Sequence, residues 1–190
     1  KNIIKIGRTQ LQDAVPISLG QEFRAYSLVI KRDLQRLNSA LEDLKLVNLG
    51  ATAVGTCVNA SPDYVKNIVP LLSSISKIDL SQSSDLVDGT QNLDSFLFLS
   101  SNLKNLATNL SKVSNDLRLM SSGPQTGLYD IKLPAKQAGS SIMPGKVNPV
   151  IPEVMSQVAF KIIGNDVAIT MAAEAGQLEL NAFEPLIFFN

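Results

Sequence analysis

Apolar residues recur at helical spacing through most of this chain. Between Leu19 and about Val47, Ile30, Leu34, Leu37, Leu41 and Leu44 follow one another at steps of 4, 3, 4 and 3, with Arg32, Asp33, Arg36, Glu42 and Asp43 between them. That period sets a bulky stripe on one side of a helix and charge on the other. Gly50 closes the pattern, and GATAVGT (50–56) is a run of small residues where backbones can approach closely. A shorter helix is predicted over roughly Pro62 to Lys77, with Pro62 in a first turn that has no use for its missing N–H. SQSSD (81–85) offers capping side chains ahead of a second long helix, whose start, VDGTQNLDSFLF, is polar and weakened by Gly89. The period is strictest there. Leu99, Leu103, Leu106, Leu110, Val113, Leu117 and Met120 alternate steps of 4 and 3, a heptad seam expected to be bundle core and to do no chemistry.

From Ser121 to Pro149 the helical regime stops. Four glycines (123, 127, 139, 145) and four prolines (124, 134, 144, 149) punctuate the stretch, and Lys132, Lys136 and Lys146 against Asp130 make it locally cationic. Irregular connections this long are uncommon in compact domains and are often functional. A third long helix is expected over roughly Ile151 to Met171, and a last one from near Glu179. No turn dipeptide separates two alternating runs, so strand evidence is poor. The fold class expected is all-α, a bundle of long helices with extended loops and a tendency to associate through bundle faces.

Composition narrows the function classes. Lys+Arg and Asp+Glu are both 17, so the net charge is zero and no extended basic field is available for nucleic acid or an anionic membrane. No apolar run approaches membrane-spanning length. The single cysteine, Cys57, has no internal partner and fits a reducing compartment such as the cytoplasm. Histidine is absent, so any enzyme built from these residues finds its proton acceptor elsewhere. The start at Lys1 inside a dense polar motif, and the uncapped apolar ending EPLIFFN, suggest a segment of a longer polypeptide.

The stretch GSSIMPGKVNP (139–149) invites three readings: a plain connector, a phosphate cradle, or a loop that closes over a small acid and reacts with it. Lys146 and Asn148 stand just before a predicted helix start, where unpaired N–H groups favour an anion. The spacing is not that of a P-loop, which weakens the nucleotide reading. A second polar cluster, GRTQLQDAVP (7–16), reads by itself as a solvated helix-entry loop.

Taken together, GSSIMPGKVNP and IGRTQLQDAVPISLGQEF (6–23) resemble the signature loop and companion segment of the fumarase/aspartase superfamily, and AEAGQLELN (173–181) resembles its aspartase branch. Gln10 stands where fumarase-type members usually carry histidine, and GTCVN (55–59) departs from the family's GTGLN. The resemblance implies a homotetramer whose central helices form one large bundle, with each site assembled from three subunits. These 190 residues would then be the central helical domain, with a flexible loop at about 121–149 and the parent's N- and C-terminal domains outside it. The implied reaction is reversible removal of ammonia from L-aspartate to give fumarate, without cofactor or metal. Ser140 is implied as the base, acting as its alkoxide. Ser141 is implied as donor to the carboxylate that becomes the enediolate. Lys146 and Asn148 would bind the other carboxylate, and Thr9 and Gln10 would meet substrate from a neighbouring subunit. A fumarate hydratase and a non-catalytic bundle protein are the alternatives within the superfamily.

Overall fold

The computed structural model describes residues 2–140 and 142–190. Its elements are mostly helical, as the periodicity predicts, but the chain opens on strands. β1 (Ile4–Thr9) and β2 (Gln12–Ser18) form an antiparallel hairpin where a helix-entry loop was expected. The reason lies in the turn. Gln10 (φ 52°) and Leu11 (φ 64°) are both left-handed, as a two-residue type I′ turn requires. Asn and Gly normally announce that geometry; neither is present, so no local signal existed to read.

Helix α1 (Leu19–Asp43) follows directly. Ser18 and Gln21 cap it reciprocally: the Gln21 N–H donates to Ser18 Oγ (3.1 Å) and the Ser18 N–H to Gln21 Oε1 (2.9 Å). It stops short of Val47, because β3 (Leu46–Val47) pairs in parallel with β4 (Ser81–Gln82). Between these strands lies α2 (Pro62–Ser76), capped by Ser61 and closed by Lys77 in the left-handed region. The polar segment after β4 does not start one long helix. It makes a single turn, α3 (Asp88–Gln91), and breaks at Asn92 before α4 (Asp94–Met120). Helix α5 (Val150–Glu174) matches its expected span, whereas α6 (Glu184–Phe189) begins later than Glu179, after a Gln177–Leu180 bridge. Among the described residues no helix is long and apolar enough to cross a membrane.

The chain divides into two compact units, Lys1–Leu34 with Asn105–Lys161, and Gln35–Lys104 with Ile162–Asn190. The second holds a small core of Leu93, Ile169, Ala172 and Ile187, and Phe96 meets Phe188 edge to face at 5.1 Å. Its buried Asp166 accepts from Ser100 Oγ (2.8 Å) and is paired with Lys104. Gly55 (φ 90°) passes so close to Val87 that a Cβ would stand 2.3 Å from its Cα. In the first unit, Asp33 is 1% exposed and accepts from Asn105 Nδ2 (2.8 Å) and Asn109 Nδ2 (2.7 Å). Removing that acceptor strands two amides that point at it. We expect Asp33→Ala to cost about 2–4 kcal/mol, read as a fall in the urea midpoint at unchanged slope.

Small and polar side chains make up much of the buried face of each long helix, beside Met120 in α4 and Ile169 in α5. In α4, Ser100, Ala107, Ser111 and Ser114 are buried, while of the heptad seam only Met120 is; Leu103 is 40% exposed. In α1, Asp33 and Ala40 are buried, and Leu34 (52%) and Leu41 (47%) face outward. In α5, Ser156, Ala159 and Asp166 are buried, and Val154, Val158, Phe160 and Val167 are exposed. The expectation that the leucine seam is core is met only in part inside this chain, since Leu99, Leu106, Leu110, Val113 and Leu117 are half-buried and Leu103 is exposed. Small side chains let backbones come close, and Leu34 and Leu41 of α1 and Val154, Val158 and Phe160 of α5 are left facing outward.

Candidate functional site

Five of the six residues singled out from the sequence, Thr9, Gln10, Ser140, Lys146 and Asn148, belong to the first unit. The strand order places Thr9 at the end of β1, paired with Gln12, and Gln10 in the turn, both exposed at the hairpin tip. Ser140 is half-buried in the irregular stretch between α4 and α5. Its Oγ accepts from the backbone N–H of Ile142 (3.3 Å) and of Met143 (3.2 Å). Two donors aimed at one oxygen favour its ionised form over the neutral hydroxyl. Ser141 lies outside the described residues.

The loop closes on itself around these groups. The Lys146 N–H donates to Met143 O (3.2 Å), Gly145 is left-handed (φ 77°), and a Cβ on Gly139 would lie 2.9 Å from Lys146 O. Any side chain at 139 would thus push the two ends of the loop apart. Asn148 stands two residues before α5, as expected for a group at a helix start.

Lys146 and Asn148 line a cavity of about 710 Å³, together with Asn115 and Arg118 from the end of α4 and Tyr129 and Lys132 from the loop. Arg118 reaches Glu153 (3.8 Å) and Asn115 (3.5 Å). Among the described residues Lys132 and Lys146 have no carboxylate partner, so the cavity carries cations free to meet an anion. Thr9, Gln10 and Ser140 are not among its lining residues. Lys132 had been counted only as part of a cationic loop. Arg118 was hidden in the heptad run, its one available signal being a cation in a last helical turn, where it also complements the helix dipole.

A further cluster joins hairpin and loop. Asp130 accepts from Arg8 Nη1 (2.6 Å) and lies 3.2 Å from Lys5 Nζ; Arg8 also meets Asp13 (3.5 Å) and Lys5 meets Glu22 (3.3 Å). Burial by itself would raise the Asp130 carboxyl, but hydrogen bonds from Arg8 and Lys5 and their charges outweigh it and hold it below the ordinary carboxylate value. A depressed folded-state pKa stabilises the fold above the unfolded value, about 3.9, and that contribution is lost as pH falls through the folded value. Asp130→Asn should therefore be less stable than wild type at neutral pH, with the gap narrowing below about pH 4. Urea titrations at stepped pH would show it; a gap that stays constant would assign the depression elsewhere.

Comparison with known proteins decides the family. The model of the Lyase family matches residues 1–164. The chain belongs to this lyase family, within the fumarase/aspartase superfamily. It is 57% identical to the aspartate ammonia-lyase of Bacillus subtilis over 189 residues, 100% of this chain and 40% of that protein. To the aspartate ammonia-lyase of Escherichia coli K12 it is 52% identical over 98% of this chain and 39% of that protein. Among solved structures, a fumarate lyase:delta crystallin from Brucella melitensis bound to cobalt superposes with a TM-score of 0.95 at 55% identity. A class II fumarase from Schistosoma mansoni does so with 0.95 at 38% identity; each superposition covers 98% of this chain, and 40% and 42% of the respective structures. The chain thus spans about 40% of the length of the lyases it matches.

Proposed function

We propose that these residues supply the central helical part of an ammonia-lyase that converts L-aspartate reversibly to fumarate and ammonia. The observation that carries the reading is the geometry of Ser140, whose Oγ already sits at the focus of two N–H donors in a chain without histidine. Deprotonation next to a carboxylate makes an enediolate dianion, so the site must offer a base and stabilise charge where it develops. In this mechanism the Ser140 alkoxide takes the proton from the carbon beside one carboxylate, and the C–H electron pair passes into the enediolate. As the enediolate collapses, the carbon–nitrogen bond breaks, its pair leaves with nitrogen, and the new double bond gives fumarate. Ser140 then returns its proton to solvent.

Ser141 is assigned to the carboxylate that becomes the enediolate. Lys146 and Asn148 bind the other carboxylate; their shared cavity with Arg118 and Lys132 supports an anionic ligand there. Thr9 and Gln10 serve a site in a neighbouring copy within a homotetramer, a reading supported by their exposure at a hairpin tip outside that cavity. The outward apolar side chains of α1 and α5 support that assembly. A cytoplasmic location, no cofactor and no resident metal complete the reading.

A second reading, hydration of fumarate, is favoured by the likeness to the Schistosoma mansoni fumarase. One paired assay separates them. Fumarate absorbance is followed in the full-length enzyme with L-aspartate and then with L-malate. Turnover of aspartate alone supports the lyase; turnover of malate moves the protein to the hydratase.

A further inference from the structure

We propose that Asp130 is a positioning residue, which ties the β1–β2 hairpin to the reactive loop through Arg8 and Lys5 and so sets where Thr9 and Gln10 present themselves to substrate. The inference rests on the reading of Thr9 and Gln10 as substrate contacts, and it begins in the strand register. Side chains alternate along a strand, so Lys5 and Arg8, three positions apart, would point to opposite faces of a regular β1. Both nevertheless reach Asp130, and between them the pairing slips from Ile6 opposite Pro16 to Arg8 opposite Asp13. The extra residue lies on β2, where Ala14 and Val15 stand against Gly7 alone, and a bulge of this kind increases the local twist of the pair. Gly7 occupies the slip, where a Cβ would stand 2.9 Å from Val15 O. From this strand both cations converge on one carboxylate.

The three groups are largely withdrawn from water, with side-chain exposures of 11% for Lys5, 18% for Arg8 and 13% for Asp130. Glu22 and Asp13 hold the far sides of Lys5 and Arg8, from the first turn of α1 and from β2. Every charge in the cluster therefore has an opposite neighbour. Arg8 is bonded along the chain to Thr9, and Asp130 lies ten positions before Ser140 in the same irregular stretch. One carboxylate thereby anchors the strand that leads into the hairpin tip to the loop that carries the base. It touches neither substrate nor base itself.

The test compares Asp130→Asn and Asp130→Glu in the full-length enzyme. Asn keeps size and removes charge; Glu keeps charge. We expect Asp130→Asn to raise KM for aspartate roughly ten- to a hundredfold with a much smaller change in kcat, since the misplaced groups bind substrate and do not move its proton. Asp130→Glu should recover most of the loss. Amide hydrogen exchange supplies a readout that needs no turnover: exchange at Arg8, Thr9 and Gln12 should quicken in Asp130→Asn and return towards wild type in Asp130→Glu. Unchanged KM and exchange in Asp130→Asn would overturn the proposal. So would equal losses in both variants with a matching fall in thermal midpoint, which would mark a purely structural role. If the wild-type enzyme turns over malate instead of aspartate, the aspartase reading fails and the same KM comparison is run with malate. If it turns over neither, the exchange result alone decides for or against Asp130.

Discussion

Replacing Ser140 with alanine in the full-length enzyme should lower kcat for aspartate deamination roughly 10²–10⁴-fold, the usual contribution of a positioned general base. The side chain lost is small, half-buried and in an irregular stretch, so helical content by circular dichroism and the thermal midpoint should stay at wild-type values. That combination separates chemistry from folding. The physical argument is local. The hydroxyl oxygen of Ser140 accepts from the Ile142 and Met143 N–H groups at 3.3 and 3.2 Å, lengths that leave room to shorten when the oxygen becomes charged. A hydroxyl held only as a neutral acceptor would gain little from such donors, whereas an alkoxide gains much more. Burst-free kinetics with kcat within a few-fold of wild type for Ser140→Ala would remove Ser140 from the mechanism.

The second large effect concerns assembly. Val154 and Val158 lie one turn apart on α5, 53% and 48% exposed within the chain. Aspartate at both positions should leave the fold of the single chain intact, because these side chains are not part of its buried core. It should nevertheless dissociate the homotetramer proposed above, since each introduced carboxylate would have to be buried unpaired at a cost of several kcal/mol. A loss of about 4 kcal/mol per interface weakens association about a thousandfold. Sedimentation equilibrium should show monomers at concentrations where wild type is assembled, and activity should fall with assembly if each site draws residues from several copies. An oligomer that survives both substitutions would place the interface on another face.

Much of this fold was legible from residue spacing. The 4, 3 recurrence located α1 and α4, and Pro62 located α2, because helix period and the place of proline in a first turn are local properties written in neighbouring residues. The glycines and prolines of 121–149 marked the irregular stretch for the same reason. The candidate residues of that stretch, Ser140, Lys146 and Asn148, were legible as a polar set between glycines, and their role came from resemblance. Arg118, Lys132 and Asp130 were not legible as a site, since what distinguishes them is a shared cavity or a shared ion, and their neighbours are far away in the chain.

Sequence alone determined that each long helix has a bulky apolar stripe; only the tertiary structure decided which way it faces. Periodicity states that one side of a helix will be covered, but not by what. Here Asp33 finds two asparagines on α4 and turns inward, while Leu34 and Leu41 of its own helix turn out. The hairpin shows the same division at smaller scale. Alternation in 4–18 was weak, and the turn at Gln10–Leu11 adopts two left-handed residues without asparagine or glycine. Such a conformation costs free energy locally and is held by what lies outside the turn, the β1–β2 ladder and the charges gathered on Asp130. No window of neighbouring residues contains those terms, which exist only once distant segments have come together.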